Sequence, residues 1–265
     1  SENQYISNFD KKDIIFQKAS PFGLVTVRKN GENDSRFDRT LSIDDRDQCT
    51  LNGNETERLI ADGALAYLPT GRKVLSIGLG CSFTLERILD YQPSQVTVAE
   101  INPVVAEAAK YFQTLTDGAI YDDRVKINII DGAELLRTTS EKYDTIIIDI
   151  ENPTVAHSSL LYTVEYLRYA KEHLNEGGRV ALWGYNSVDQ RYLKSLVATF
   201  EEVFDNVIFS HDGIYLFVAS DSELDSSIID RNNVYDKLKK DLESIDMVPP
   251  NTIDQPTLEA YYRLS

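Results

Sequence analysis

The chain has 265 residues, 42% hydrophobic and 26% charged, which fits one large globular domain or a main domain with a small attachment. Asp and Glu number 43 against 27 Lys and Arg, a formal net charge of −16. That field repels phosphate backbones and excludes a general nucleic-acid binder; it attracts a cationic substrate such as an amine, although an acidic surface kept for solubility has the same composition.

The two cysteines, Cys49 and Cys81, are too few for a disulfide framework. His157, His173 and His211 show no zinc-ligand spacing, so no metal is expected. Ser1-Glu2-Asn3-Gln4 lacks the basic and apolar regions of a signal peptide, and no apolar run approaches the roughly 20 residues that span a bilayer. A cytoplasmic protein without a membrane partner is the expectation.

In chain order, residues 13–18, 23–28 and 39–43 read as short strands parted by the turn formers Pro21-Phe22-Gly23 and Asn30-Gly31. Residues 1–54 are therefore assigned to an N-terminal antiparallel β unit. A helix over 55–67 opens the next region, 55–225. Strands are predicted at 73–77, 96–100, 125–130, 145–149, 179–183, 207–210 and 215–219. Helices are predicted at 83–91, 104–114, 133–138, 160–174 and 190–204. Apolar strands with helical crossovers make a doubly wound, mostly parallel α/β fold, Rossmann-like in layout. The short link His211-Asp212-Gly213 adds an antiparallel pair at one edge. Residues 226–265 are assigned to a C-terminal helix (234–245) and tail.

In such a sheet ligands bind beyond the carboxyl ends of the strands. Gly78-Leu79-Gly80-Cys81-Ser82 follows the strand 73–77 and opens a helix; its glycines let a ligand approach the backbone, or merely make a tight turn. Glu100 ends the next strand, twenty residues beyond Gly80, the spacing of a carboxylate that accepts both hydroxyls of a ribose. Asp131-Gly132 ends the third strand, where Asp131 either accepts from an adenine amino group or caps the following helix. Asp149 ends the apolar strand after Ile146-Ile147-Ile148, as a site residue or a turn former. Phe83 stands where a dinucleotide fingerprint needs its third glycine, which favours an S-adenosylmethionine site over NAD.

The run Lys73-Val74-Leu75-Ser76-Ile77-Gly78-Leu79-Gly80, with Val98-Ala99-Glu100-Ile101-Asn102-Pro103, resembles the class I S-adenosylmethionine-dependent methyltransferase superfamily. Gln48-Cys49-Thr50, Asp122-Asp123-Arg124-Val125, Asp131-Gly132, Tyr143-Asp144, Asp149, Asn152-Pro153 and Leu161-Tyr162-Thr163 narrow the resemblance to the spermidine synthase (polyamine aminopropyltransferase) family. The resemblance covers residues 45–185. It implies a bound sulfonium nucleoside: Glu100 and Ile101 at the ribose, Asp131 and Gly132 at the adenine, Gly78, Gly80 and Cys81 beside the methionine-derived arm, and Gln48 approaching from the β unit. Asp149 would be the acid that orients the attacking amine and accepts its proton.

Three positions depart from that family's pattern. Cys81 replaces an Asp of the glycine loop, Asn152 replaces an Asp of the later motif, and Thr56-Glu57 stands for an aromatic-Gln pair. An Asp at position 81 would repel the carboxylate of intact S-adenosylmethionine by about 4 kcal/mol at 4 Å and an effective dielectric of 20. Cys81 removes that repulsion, so the leading expectation is methyl transfer from S-adenosylmethionine to a small amine. The runner-up is aminopropyl transfer from decarboxylated S-adenosylmethionine to a polyamine. Aminocarboxypropyl transfer and a non-catalytic nucleoside-binding paralogue complete the alternatives. Glu57, Asn152, Trp183 and Tyr185 are the candidate acceptor-side residues, with Trp183 and Tyr185 equally readable as core. Association through the β unit, as a homodimer or a tetramer, is what the resemblance implies for assembly.

Overall fold

The structure, a computed structural model, describes residues 13–29, 39–50, 54–66, 68–150, 159–185, 190–211 and 214–224. The expected helix at 234–245 and its tail lie outside these residues. The N-terminal unit is a four-stranded antiparallel sheet in the order β1 (Ile14–Ser20), β2 (Gly23–Lys29), β3 (Arg39–Ile43), β4 (Arg46–Thr50). The fourth strand goes beyond the sequence expectation. Its turn, Asp44-Asp45, has no glycine, yet both aspartates take positive φ, 49° and 61°, as a two-residue hairpin requires. Asp44 steadies that backbone by accepting the Leu24 N–H at 2.8 Å.

After helix α1 (Asn54–Leu65) come β5 (Lys73–Ile77), α2 (Phe83–Asp90), β6 (Gln95–Glu100), α3 (Pro103–Ala108), β7 (Val125–Ile129), α4 (Gly132–Thr138) and β8 (Tyr143–Ile148). Then follow α5 (Val164–Glu172), β9 (Leu174–Tyr185), α6 (Gln190–Val203), β10 (Asn206–His211) and β11 (Ile214–Ser220). The seven strands order as β10-β11-β9-β8-β5-β6-β7. All neighbours are parallel except β11, which runs against both β9 and β10. The central strands are buried on both faces, Val74, Leu75, Ile146, Ile147 and Ile148 being wholly inaccessible, which is why they read as continuous apolar runs.

Two predicted helices are shorter than expected. The one at 104–114 ends at Ala108 and tightens into a 3-10 turn over Ala109–Phe112. The one at 160–174 starts only at Val164, because Thr163 caps it, its hydroxyl accepting the Tyr166 N–H at 3.2 Å. Among the described residues no helix is long and apolar enough to cross a membrane.

The small sheet packs on α2 and α3. Val25, Val27, Leu41 and Cys49 share one apolar cluster with Cys81, Phe83, Val104, Val105 and Phe112. Asn102 caps α3 by accepting the Val104 N–H and donates its amide to Ser20 Oγ at 3.1 Å, tying the two units at their polar rim. A covalent tie crosses the same seam: Cys49 of β4 and Cys81 of the glycine loop form a disulfide, their Cα atoms 6.2 Å apart. Two cysteines make no framework, yet these two bond to each other, a pairing that the sequence reading did not anticipate. Folding of the two units against each other brings the pair together, and sequence spacing does not report that contact.

Candidate active site

The chain leaves β5 for β6 and β7, then returns to β8 on the other flank of β5. Strand order therefore reverses between β5 and β8, and a crevice opens at their carboxyl ends. Gly78 sits at its base with φ 100°. A Cβ there would lie 2.5 Å from the Asp149 carbonyl oxygen, so this glycine serves the close approach of the two strand ends. Gly80, at φ 50°, has nothing within 4 Å of a notional Cβ and leaves open space beside the loop. Gly132 has a packing reason: its Cβ would meet Ile77 Cγ2 at 2.4 Å.

Glu100 is buried, and each carboxylate oxygen already accepts a backbone N–H, Leu79 at 3.0 Å and Asn102 at 2.7 Å. Burial pushes its carboxyl up to about 7 against those two bonds, with the nearby Asp149 charge adding to the rise. Asp131 caps α4, accepting the Ala133 and Glu134 N–H groups at 2.7 and 3.3 Å through Oδ1. Capping uses one oxygen, and Asp131 still lines the crevice.

Asp149 has its open side on the crevice. Trp183 donates its indole N–H to Asp149 Oδ1 at 2.7 Å. The Thr84 hydroxyl reaches both the Asp149 carboxylate and the Glu57 carbonyl, the latter at 2.9 Å, and has one proton for the two. Burial raises the Asp149 carboxyl above its ordinary value, and the bonds from Thr84 and Trp183 oppose the rise. Trp183 is thus both core, at 2% exposure, and a site residue that holds the acid.

One cavity of about 930 Å³ gathers Gln48, Glu57, Gly78, Gly80, Cys81, Glu100, Ile101, Asp131, Gly132, Asp149 and Trp183. Asn152 and the side chain of Tyr185 lie outside the described residues. Three contributions were not anticipated from sequence. Thr84 stands beside the acid, a lone hydroxyl in the first turn of α2 that no motif marks. Leu41 and Ile43 of β3 form an apolar wall, and Asp44, Asp45 and Arg46 of the hairpin edge it. Among the described lining residues six are acids, Asp44, Asp45, Glu57, Glu100, Asp131 and Asp149, against the single cation Arg46. No cluster of three or more His, Cys, Asp or Glu suited to a metal ion occurs among the described residues.

Residues 54–211 match the family model for the spermine/spermidine synthase domain. A polyamine aminopropyltransferase of Saccharolobus solfataricus is 31% identical over 238 residues, covering 82% of this chain and 78% of that protein. One from Thermococcus onnurineus is 33% identical over 177 residues, 66% of this chain and 61% of the relative. Against one from Oceanobacillus iheyensis, 26% identical, the chain spans 42% of the longer relative. In fold it is similar to a spermidine synthase bound to the transition-state analogue AdoDATO, with TM-score 0.70 at 21% identity over 91% of this chain and 86% of that one. It is also similar to the spermidine synthase of Thermotoga maritima, with TM-score 0.68 at 20% identity, covering 94% and 84%.

These relatives overturn the expectation of methyl transfer, since they carry the aminopropyl name. The physical fault lay in weighing position 81 alone. Cys81 does remove one negative group, but it is locked to Cys49, and six carboxyl groups on other elements still line the cavity. A donor bearing a carboxylate of its own would enter that field at a cost. By the family model, the relatives and the shared fold, the chain belongs to the spermine/spermidine synthase family.

Proposed function

We propose that this protein transfers the aminopropyl group of decarboxylated S-adenosylmethionine to a small polyamine in the cytoplasm. The observation that carries the reading is the sign of the cavity among its described lining residues: six acids against one guanidinium, around a strand-end carboxylate held by Trp183. Both reactants are cations, and the donor ends in a bare ammonium, so an acidic, partly desolvated cleft favours both. Family membership points the same way.

Glu100 would accept the ribose hydroxyls, and the free oxygen of Asp131 would take the adenine amino group. Gly80 would admit the sulfonium arm, and Glu57 would face the donor's ammonium from α1. Asp149 would orient the acceptor amine and take its proton, because an ammonium has no lone pair with which to attack. The amine nitrogen then bonds to the propyl carbon on sulfur, and the carbon–sulfur pair stays with sulfur as 5′-methylthioadenosine. Trp183 keeps Asp149 Oδ1 occupied, which fixes the direction the carboxylate presents and so the in-line approach of the amine.

The test incubates the protein with a panel of linear diamines and either donor, intact or decarboxylated, followed by mass spectrometry. The reading expects 5′-methylthioadenosine and an amine enlarged by one aminopropyl unit from the decarboxylated donor alone. S-adenosylhomocysteine from the intact donor would overturn it.

A further inference from the structure

The disulfide spans two walls of the same cavity. Cys81 belongs to the glycine loop and lines the cavity; Cys49 lies on β4 next to Gln48, which lines it from the opposite unit. The loop residue Leu79 donates its N–H to Glu100 Oε2 at 3.0 Å, so loop position and ribose carboxylate are mechanically linked. The loop also has room to move, with Gly80 facing open space.

We propose that the Cys49–Cys81 disulfide is a reversible redox site that sets the cavity's affinity for its nucleoside. Closed, it holds the glycine loop against β4 and keeps Gln48, Gly80 and Glu100 on one ligand. A dithiol reductant opens it. One thiolate of the reductant attacks the Cys81 sulfur from the cavity, and the electron pair of the S–S bond leaves with Cys49 as a thiolate. The second thiolate of the reductant then displaces Cys81. Two electrons pass from the dithiol, which becomes a disulfide, and two protons restore both cysteine thiols. The sulfurs, about 2 Å apart when bonded, need roughly 3.5–4 Å as non-bonded neighbours. The seam must widen by the difference of about 1.5–2 Å or a side chain must swing aside. Cys81 is 1% and Cys49 5% exposed, so neither can turn out into solvent without moving its backbone. Displacements near 1 Å in a positioning element cost up to about 100-fold in rate, so a loop shift of this size is large on the scale of the site.

This inference rests on the proposed function for the identity of the nucleoside, and its test reads binding alone. Protein prepared without reductant is titrated calorimetrically with 5′-methylthioadenosine as isolated, after dithiothreitol, and after reoxidation with oxidised glutathione. Alkylation and mass spectrometry count the thiols at each stage. We expect at least tenfold weaker binding when both thiols are free, recovery on reoxidation, and slower reduction with nucleoside present. Equal affinity in both redox states overturns the inference, as do free thiols in the untreated protein or irreversible unfolding on reduction. Cys49→Ser should bind like the reduced protein; if it fails to fold, the wild-type cycle still decides. No binding in any state overturns the proposed function as well, which separates the two failures.

Discussion

Replacing Trp183 by Phe keeps an aromatic ring in the core and deletes one group, the indole N–H that Asp149 Oδ1 accepts at 2.7 Å. A hydrogen bond to a charged acceptor contributes about 1.5–3 kcal/mol, so losing it at a base that must point correctly should lower kcat roughly 10- to 150-fold. The pH profile gives the sharper readout. Burial raises the Asp149 carboxyl and the Trp183 bond opposes that rise, so its removal moves the group further up. A base works only when deprotonated; activity falls as pH drops through its pKa, and a higher pKa shifts that fall toward neutral pH. Trp183→Phe should therefore displace the acid limb of kcat/KM upward, measured from initial rates of 5′-methylthioadenosine release over a pH series. The smaller ring also leaves a void at a site only 2% exposed, which lowers Tm but does not move an ionisation. In an Asp149→Asn background the same substitution should have little further effect on turnover, since the bond's charged partner is gone. A variant with kcat within twofold of wild type and an unmoved acid limb would refute the positioning role.

Glu100 titrates in the opposite sense from a salt-bridged carboxylate. Its folded value near 7 lies above its ordinary 4.5, so its contribution to stability is full below 4.5 and declines as pH rises through 7. Between pH 5 and 8 wild type should lose about 2–3 kcal/mol relative to Glu100→Gln in urea melts, and parallel curves would contradict the burial argument. If Glu100 holds the ribose as proposed, nucleoside affinity should meanwhile weaken as pH falls below 7, because hydroxyls donate more strongly to the carboxylate than to the neutral acid. The glycines should separate by mechanism: Gly80→Ala meets no atom and costs about 1–2 kcal/mol for its left-handed backbone. Gly78→Ala would place a carbon 2.5 Å from the Asp149 carbonyl and should abolish soluble expression or nucleoside binding. The disulfide closes a sequence separation of 32 residues, for which the chain-entropy relation gives about 3.5–4 kcal/mol. Cys49→Ser/Cys81→Ser should lower stability by that order in chemical denaturation, and a change under 1 kcal/mol would show the reduced chain already held by its seam.

The sheet was legible because buried parallel strands leave apolar runs such as Ile146-Ile147-Ile148, and the candidate site because acids that line the cavity interrupt the pattern where such strands end, at Glu100, Asp131 and Asp149. What escaped was one turn without its usual residue and the contacts set by two distant segments meeting. Asp44-Asp45 carries no glycine to announce a hairpin; Cys49 and Cys81 become partners only when the small sheet docks on the α/β domain; Trp183 is a candidate from sequence, but its bond to Asp149 exists only once the two strand ends lie side by side. Gly132 lines the cavity beside Asp131, and as the first residue of α4 it also makes room for Ile77 of β5, a packing role that the sequence does not announce.

The choice between donors failed for a related reason. A charge argument at one residue assumes that residue dominates the field. A cavity of about 930 Å³ is about 12 Å across if taken as a sphere, so a group at its centre is about 6 Å from every wall, within the Debye length of roughly 8 Å. At that range the six carboxyl groups among the described lining residues act on the donor together, Glu100 and Asp149 with less than full charge because burial raises them. Exchanging Asp for Cys at position 81 removes one contribution and leaves the sign of the sum unchanged. Where a binding site is small compared with the screening length, donor selection has to be reasoned from the whole lining, and that lining exists only once the β unit, α1 and the strand ends have closed around it.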